Sequence, residues 1–220
     1  MKPFVCSLAF LLISLGTIKA QEMKTIPLSK PSSERGCDIM KAFRQRQSVR
    51  TFDSKALSLQ DLSDLLWAAN GINRPESGKR TAPSAMNSQD IDIYVCQADG
   101  AYLYDASQQA LKQITATDVR PLIDGNRPSG APHILLLVAD MSKYRNYKEG
   151  DEAANKHLYE MGALDAGIVS ENIGLFCAAS NLATVPRAGM NKEALQQALH
   201  LKPSQILWLN HPVGYQVTSH

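Results

Sequence analysis

Apolar positions recur along this chain with two periods. From Leu59 onward, Leu62, Leu65, Leu66 and Ala69 fall at helical spacing behind Ser58 and Asp61, which form a capping-box pair, and Asn70-Gly71 supplies the stop. A shorter helix is expected through Ile39, Met40 and Phe43. At Ile91, Ile93 and Val95 the period changes to two, Asp99-Gly100 gives a two-residue turn signal, and Ala101 to Tyr104 resumes the alternation, which predicts a β-hairpin. His133 to Ala139 is continuously apolar, the pattern of a strand covered on both faces.

Asp151 to Leu182 reads as a long helix that is apolar or glycine on nearly every side between Met161 and Ala179, and such helices are buried all round. Packing against a copy of itself would cover it, with Gly162, Gly167 and Gly174 allowing close approach; packing within one subunit would explain the glycines as well. Asn181 is suited to end it in left-handed backbone. A short helix from about Lys192 to His200 and a strand from Gln205 to Leu209 complete an α+β domain. Residues 71–90 are rich in Gly, Pro, Ser, Asn and Arg without a period, and a loop that long is expected to serve function. A second loop runs from Pro121 to Pro132.

The 220 residues, 44% hydrophobic and 20% charged, suit one globular domain. The first twenty stand apart. Lys2 precedes an apolar run from Phe4 to Gly16, closed by Lys19-Ala20, which reads as a secretory signal peptide; the alternative, a retained spanning helix, would need about twenty apolar residues. A polar leader over 21–35 and a domain over 36–220 follow. Cys6 lies too early in the run for a lipid-anchored cysteine, so no stable membrane insertion is expected after cleavage, and the product is exported, periplasmic or extracellular. Cleavage removes two lysines and no acid, leaving 21 basic and 21 acidic residues and no charge excess for nucleic acid or a membrane surface. Cys37, Cys96 and Cys177 are odd in number and widely spaced, which argues against a disulfide framework. The histidines show no metal-ligand spacing, and Asp165 in the apolar helix reads as a hydrogen-bonded structural carboxylate. Trp67 and Trp208 are expected in the core.

Three segments carry candidate chemistry. Arg46-Gln47-Ser48-Val49-Arg50 sets two guanidiniums four residues apart around a hydroxyl, fit to hold a phosphate or to form a solvated basic face. Thr81 to Gln89 surrounds Pro83 and Asn87 with small residues, which would admit a planar ring or simply build a turn. Thr184 to Met190 holds Pro186 and Gly189 in a tight turn or plain connector.

Together these segments resemble the nitroreductase family, whose Arg-x-Ser-x-Arg motif, Pro-Ser-x-x-Asn loop and Pro-x-x-Gly turn follow in this order. The likeness spans about Phe43 to Tyr215 and includes Leu65-Leu-Trp-Ala-Ala-Asn-Gly71. The Walker-type and dinucleotide glycine loops are absent from the sequence. The resemblance implies a central mixed or antiparallel sheet flanked by helices, and a homodimer built on the 151–182 helix with two FMN molecules at the subunit interface. Arg46 and Arg50 would hold the FMN phosphate, with Gln47 and Ser48 on the phosphate and ribityl chain. Pro83, Ser84, Ala85 and Asn87 would line the flavin of one subunit or its neighbour, and Pro186, Ala188 and Gly189 would lie near the reactive flavin nitrogen. No catalytic side chain is required, because the flavin carries the chemistry.

The implied reaction is ping-pong transfer from NAD(P)H or another small-molecule donor to a nitroaromatic, quinone or similar acceptor. The alternatives are an FMN-dependent dehydrogenase of a peptide-borne heterocycle and a non-catalytic flavin-binding protein of the cell envelope. The chain departs from many members in two respects: Gly214 to His220 contains no Lys or Arg for the phosphate, and it is too short for an arm around the partner subunit.

Overall fold

The computed structural model describes residues 23–217 apart from Ser33; the signal-peptide expectation falls on residues outside that range. In chain order the elements are β1 (Thr25–Pro27), α1 (Ile39–Gln45), α2 (Leu59–Asn70), β2 (Ile72–Arg74), β3 (Lys79–Arg80), β4 (Ile91–Gln97), β5 (Gly100–Asp105), β6 (Ala110–Thr115), α3 (Arg120–Asp124), β7 (His133–Asp140), α4 (Glu152–Ala179), β8 (Leu182–Thr184), α5 (Lys192–Ala198) and β9 (Gln205–Tyr215). Seven strands form one sheet in the order β1-β6-β5-β4-β7-β9-β8, every pair antiparallel, and β2 with β3 makes a separate ribbon.

All eight residues of β7 are buried, so its two faces feed two cores. Leu135, Leu137 and Ala139 face the larger one with Ile91, Ile93, the Leu65-Leu66 side of α2, and Leu158, Val169 and Ile173 of α4. Ile134, Leu136 and Val138 face the other, closed by Ile123 of α3 and by Leu195 of α5. Ser58 caps α2 by accepting from the Asp61 N–H, as the capping box predicts, and Asn181 leaves α4 at φ +55°.

Several expectations change. The region 71–90 is not structureless, since it holds the β2–β3 ribbon and a single 3-10 turn at Ala85–Asn87. The polar leader contributes an edge strand, with Thr25 to Pro27 pairing with β6. The last strand runs on to Tyr215, past Leu209. Within one subunit α4 is not buried all round: Leu164 and Ile168 are 62% and 37% exposed, on one face with Gly167 and Glu171. Trp67 and Trp208 are half-buried rather than core residues, whereas Cys96 and Cys177 are buried and free.

The leader is also held beyond β1. Arg35 forms ion pairs with Asp61 and Asp64 of α2 and stacks over Phe176 of α4, and Asp61 additionally accepts from the Tyr215 hydroxyl. This network joins the start of the domain to its last strand.

Candidate functional site

The cationic segment begins where α1 ends. Asp38 caps the helix by accepting from the Lys41 N–H at 2.9 Å, and the Arg46 N–H closes the last turn on the Ala42 carbonyl. Beyond it the chain is pinned at two points, because Val49 N–H donates to the Thr184 carbonyl at 2.9 Å and Asp53 N–H to the Tyr215 carbonyl at 3.0 Å. Arg46, Gln47, Ser48 and Arg50 are left exposed, and among the described residues neither guanidinium has a carboxylate partner or a hydrogen bond. The Arg46 side chain lies along α4 at Gly174, where an added Cβ would sit 3.9 Å from its Cγ and Cδ. Two unpaired guanidiniums on a pinned backbone suit a phosphate, which takes several N–H donors in planar, bidentate geometry.

The second segment sits farther along the same helix. Ala85 N–H donates to Asp165 Oδ2 of α4 at 2.8 Å, Ser84 Oγ accepts from the Gln89 N–H at 2.9 Å, and Thr81 N–H bonds the Gly71 carbonyl at 2.9 Å. Between these ties Met86, Asn87 and Gln89 hold φ of +53°, +53° and +50°. Asn tolerates that region, but Met does so only at a cost of about 1 kcal/mol or more, a kind of strain concentrated at ligand clamps. Pro83, Met86 and Asn87 are exposed at the loop's surface. Under the loop, Asp165 also accepts from the Tyr144 hydroxyl at 3.2 Å, and fully buried Asp90 accepts from Ser88 Oγ at 3.0 Å. Burial, then the adjoining Asp165, pushes the Asp90 carboxyl up to about 7.

The third segment is the turn after β8. Arg187 and Asn210 exchange backbone hydrogen bonds at 2.9 and 2.8 Å, and Asn210 Nδ2 donates to the carbonyls of Arg187 and Gly189. Arg187 Nε returns to Asn210 Oδ1 at 2.8 Å and Nη2 pairs with Asp124 at 2.7 Å. Pro186, Ala188 and Gly189 are thereby presented outward on a braced backbone. Behind them His211 bridges Ser170 and Thr184, and burial, then the Arg187 charge, pushes its imidazole down to about 4, so it is neutral near pH 7.

The structure thus joins Arg46–Arg50 to the Thr184 end of the turn. It sets Pro83–Asn87 apart: among the described residues no hydrogen bond links that loop to either other segment. Gly174, beneath Arg46, and Asp165, beneath Ala85, are nine residues apart on α4, about 14 Å of helical rise. Sequence reasoning missed the Arg187–Asn210–Asp124 brace; its one visible signal was a polar Asn inside an apolar strand. A cavity of ≈ 660 Å³ lies between the Gln97–Asp99 turn and residues 118–133, and no motif residue lines it.

Fold and site together define an α+β protein with an anion-ready segment, a strained loop and a braced turn arrayed beside one long helix. The nitroreductase family model matches residues 43–215. A solved nitroreductase-type structure from Ralstonia eutropha is 31% identical, covers 89% of this chain and 90% of its own, and superposes with a TM-score of 0.79. A nitroreductase-type protein of Methanocaldococcus jannaschii is 26% identical over 184 residues, 79% of this chain and 88% of that protein. An Escherichia coli microcin synthetase complex contains a chain 19% identical, covering 98% of this chain and 85% of its own, with a TM-score of 0.66, a likeness of fold. The chain belongs to the nitroreductase family, and by that membership it is a flavin-type oxidoreductase.

Proposed function

We propose that the mature chain is an exported homodimeric enzyme that binds FMN and passes electrons from NAD(P)H or another small donor to a nitroaromatic, quinone or similar acceptor. The observation that carries the cofactor assignment is the pair of unpartnered guanidiniums, Arg46 and Arg50, on a backbone pinned to Thr184 and Tyr215. They would hold the phosphate, with Gln47 and Ser48 beside it. Pro83, Ser84, Ala85 and Asn87 would line the ring, and the outward backbone of Pro186, Ala188 and Gly189 would face its reactive edge. When bound, FMN supplies hydride and electron transfer at the isoalloxazine ring. The protein's part is to hold, orient and screen it. Asn210 and Arg187 fix the turn, and the neutral His211 adds no positive charge behind it.

The dimer assignment rests on the exposed face of α4, where Leu164, Gly167 and Ile168 offer an apolar, closely approachable stripe, and on the family, whose members are commonly homodimers. Export rests on residues 1–20 of the sequence.

The test is the visible spectrum of residues 21–220 reconstituted with FMN, before and after anaerobic NADH or NADPH. Bleaching supports the reductase reading. A bound flavin that stays oxidised removes NAD(P)H as donor and turns the reading to the dehydrogenase or envelope carrier. Arg46→Ala with Arg50→Ala is expected to weaken FMN binding by at least about a hundredfold, the loss of two charge-assisted contacts at ~1.5–3 kcal/mol each, with the fold unchanged by circular dichroism. Unchanged FMN stoichiometry would overturn the phosphate assignment.

A further inference from the structure

Two carboxylates meet under the strained loop with no cation between them. Asp90, fully buried just before β4, and Asp165, 4% exposed on α4, lie close enough beneath the loop for each charge to act on the other. Asp90 Oδ1 is satisfied by Ser88, but Oδ2 is a buried oxygen without a hydrogen-bond partner among the described groups when both acids are ionised. Asp165 Oδ2 already accepts from Tyr144 and from the Ala85 N–H. Gly162 makes the room: a Cβ there would stand 2.6 Å from Met141 Cε, 3.1 Å from Ala139 Cβ and 3.5 Å from Asp90 Oδ2. Two ionised carboxylates this close and this dry repel strongly, whereas a proton on Asp90 Oδ2 both removes the repulsion and satisfies the orphan oxygen.

We propose that Asp90 and Asp165 share one proton, and that this acid pair is a positioning device that holds the Ala85 amide, and with it the Pro83–Asn87 loop, in the conformation that grips the flavin. The flavin half rests on the function proposed above; the proton half does not. Asp165 presents its oxygen to Ala85 while Asp90 is protonated. Loss of that proton sets two charges against each other in an apolar site, drives the pair apart and loosens the Ala85 hydrogen bond. Charged groups on the adjoining elements are engaged elsewhere. Lys143 pairs with Asp92 and the Gln89 carbonyl, Arg80 with Gln89 Oε1 and the Asn70 carbonyl, and Asp140 with Ser142 and Ser204. Tyr144 is the remaining titratable neighbour, and burial raises its hydroxyl so that it stays a donor.

The experiment begins with the flavin-free mature protein. Its infrared spectrum is expected to show a protonated carboxyl C=O band that disappears with a midpoint near neutrality. The Ala85 amide signal in ¹H–¹⁵N spectra should move with the same midpoint. Absence of the band, or an Ala85 signal indifferent to it, overturns the proposal from the wild type alone. Asp90→Asn keeps a donor toward Asp165 but cannot titrate, so it should abolish both transitions. FMN affinity of the wild type should then fall about tenfold per pH unit above the midpoint, the limit for one linked proton, and stay within about twofold in Asp90→Asn. The same FMN pH dependence in both proteins would overturn the coupling. Intact transitions at Ala85 in a protein that binds no FMN at any pH would uphold the acid pair and overturn the proposed cofactor instead.

Discussion

Burial favours the neutral form of His133 and His211 and the protonated form of Asp90, so these three groups pull stability near pH 5 in two directions. His133 Nε2 accepts from the Leu57 N–H at 3.1 Å; burial, then Arg120, pushes this imidazole down to about 4, as burial and Arg187 do for His211. As pH falls through 6.5 the unfolded chain takes up both protons first, so stability present above 6.5 is lost down to about 4. Asp90 acts oppositely: between 3.8 and about 7 the folded chain keeps a proton the unfolded chain has lost, and stability rises as pH falls. Two against one leaves a net loss of stability on acidification across pH 6 to 4.5, to which the carboxyls held below their usual range, Asp61, Asp99, Asp105 and Asp118, add at the lower end. Asp90→Asn should steepen that slope by the equivalent of one proton, roughly 1 kcal/mol per pH unit, read from urea unfolding midpoints at several pH values. At this scale the contiguous motifs were legible, because Arg46 to Arg50 and Pro83 to Asn87 are local in sequence. The groups that brace them were not. Arg187 finds Asn210 and Asp124 across 23 and 63 residues, and Asp165 finds Ala85 across 80, pairings that no local pattern encodes.

Among the elements, α4 shows how one residue type serves opposite ends. Gly162 faces β7 with no room for a side chain, while Gly167 meets nothing within 4 Å. Gly162→Leu should therefore destabilise by about 1–3 kcal/mol through overpacking, and Gly167→Ala should stabilise the isolated subunit by about 1 kcal/mol through helix propensity. Chemical unfolding of both variants checks this, and a Gly167→Ala that weakens self-association while stabilising the subunit would mark the position as a close helix–helix crossing. The long helices, the hairpin and β7 were readable because their periods run for six residues or more. Strands β1 and β8 are three residues long, too short for a period to show. Strand β6 hides its alternation because Gln113 points inward, where it bonds the Lys24 amide and the Tyr102 hydroxyl. The all-round burial read for α4 counted on a copy of the chain to complete it; one subunit leaves a single stripe uncovered, which hydrophobicity alone could not assign to the subunit or to a partner.

For the molecule as a whole, the dimer and the cofactor should stand or fall together. Leu164→Lys with Ile168→Lys places two charges on the exposed stripe of α4 and is expected to give a folded monomer by sedimentation velocity, with FMN affinity lost alongside the dimer. A monomer that keeps FMN would place the whole flavin site within one chain. The sheet carries a further consequence, one of timing. Its fully buried strand β7 is flanked by β4 and by β9, and β9 is the last of the described elements. Until Gln205–Tyr215 is available, β7 has an open edge and neither core is closed. The polypeptide therefore cannot close either core before Gln205–Tyr215 has been made. For a chain proposed to cross a membrane before it folds, such late closure of both cores would favour the threadable state during transport.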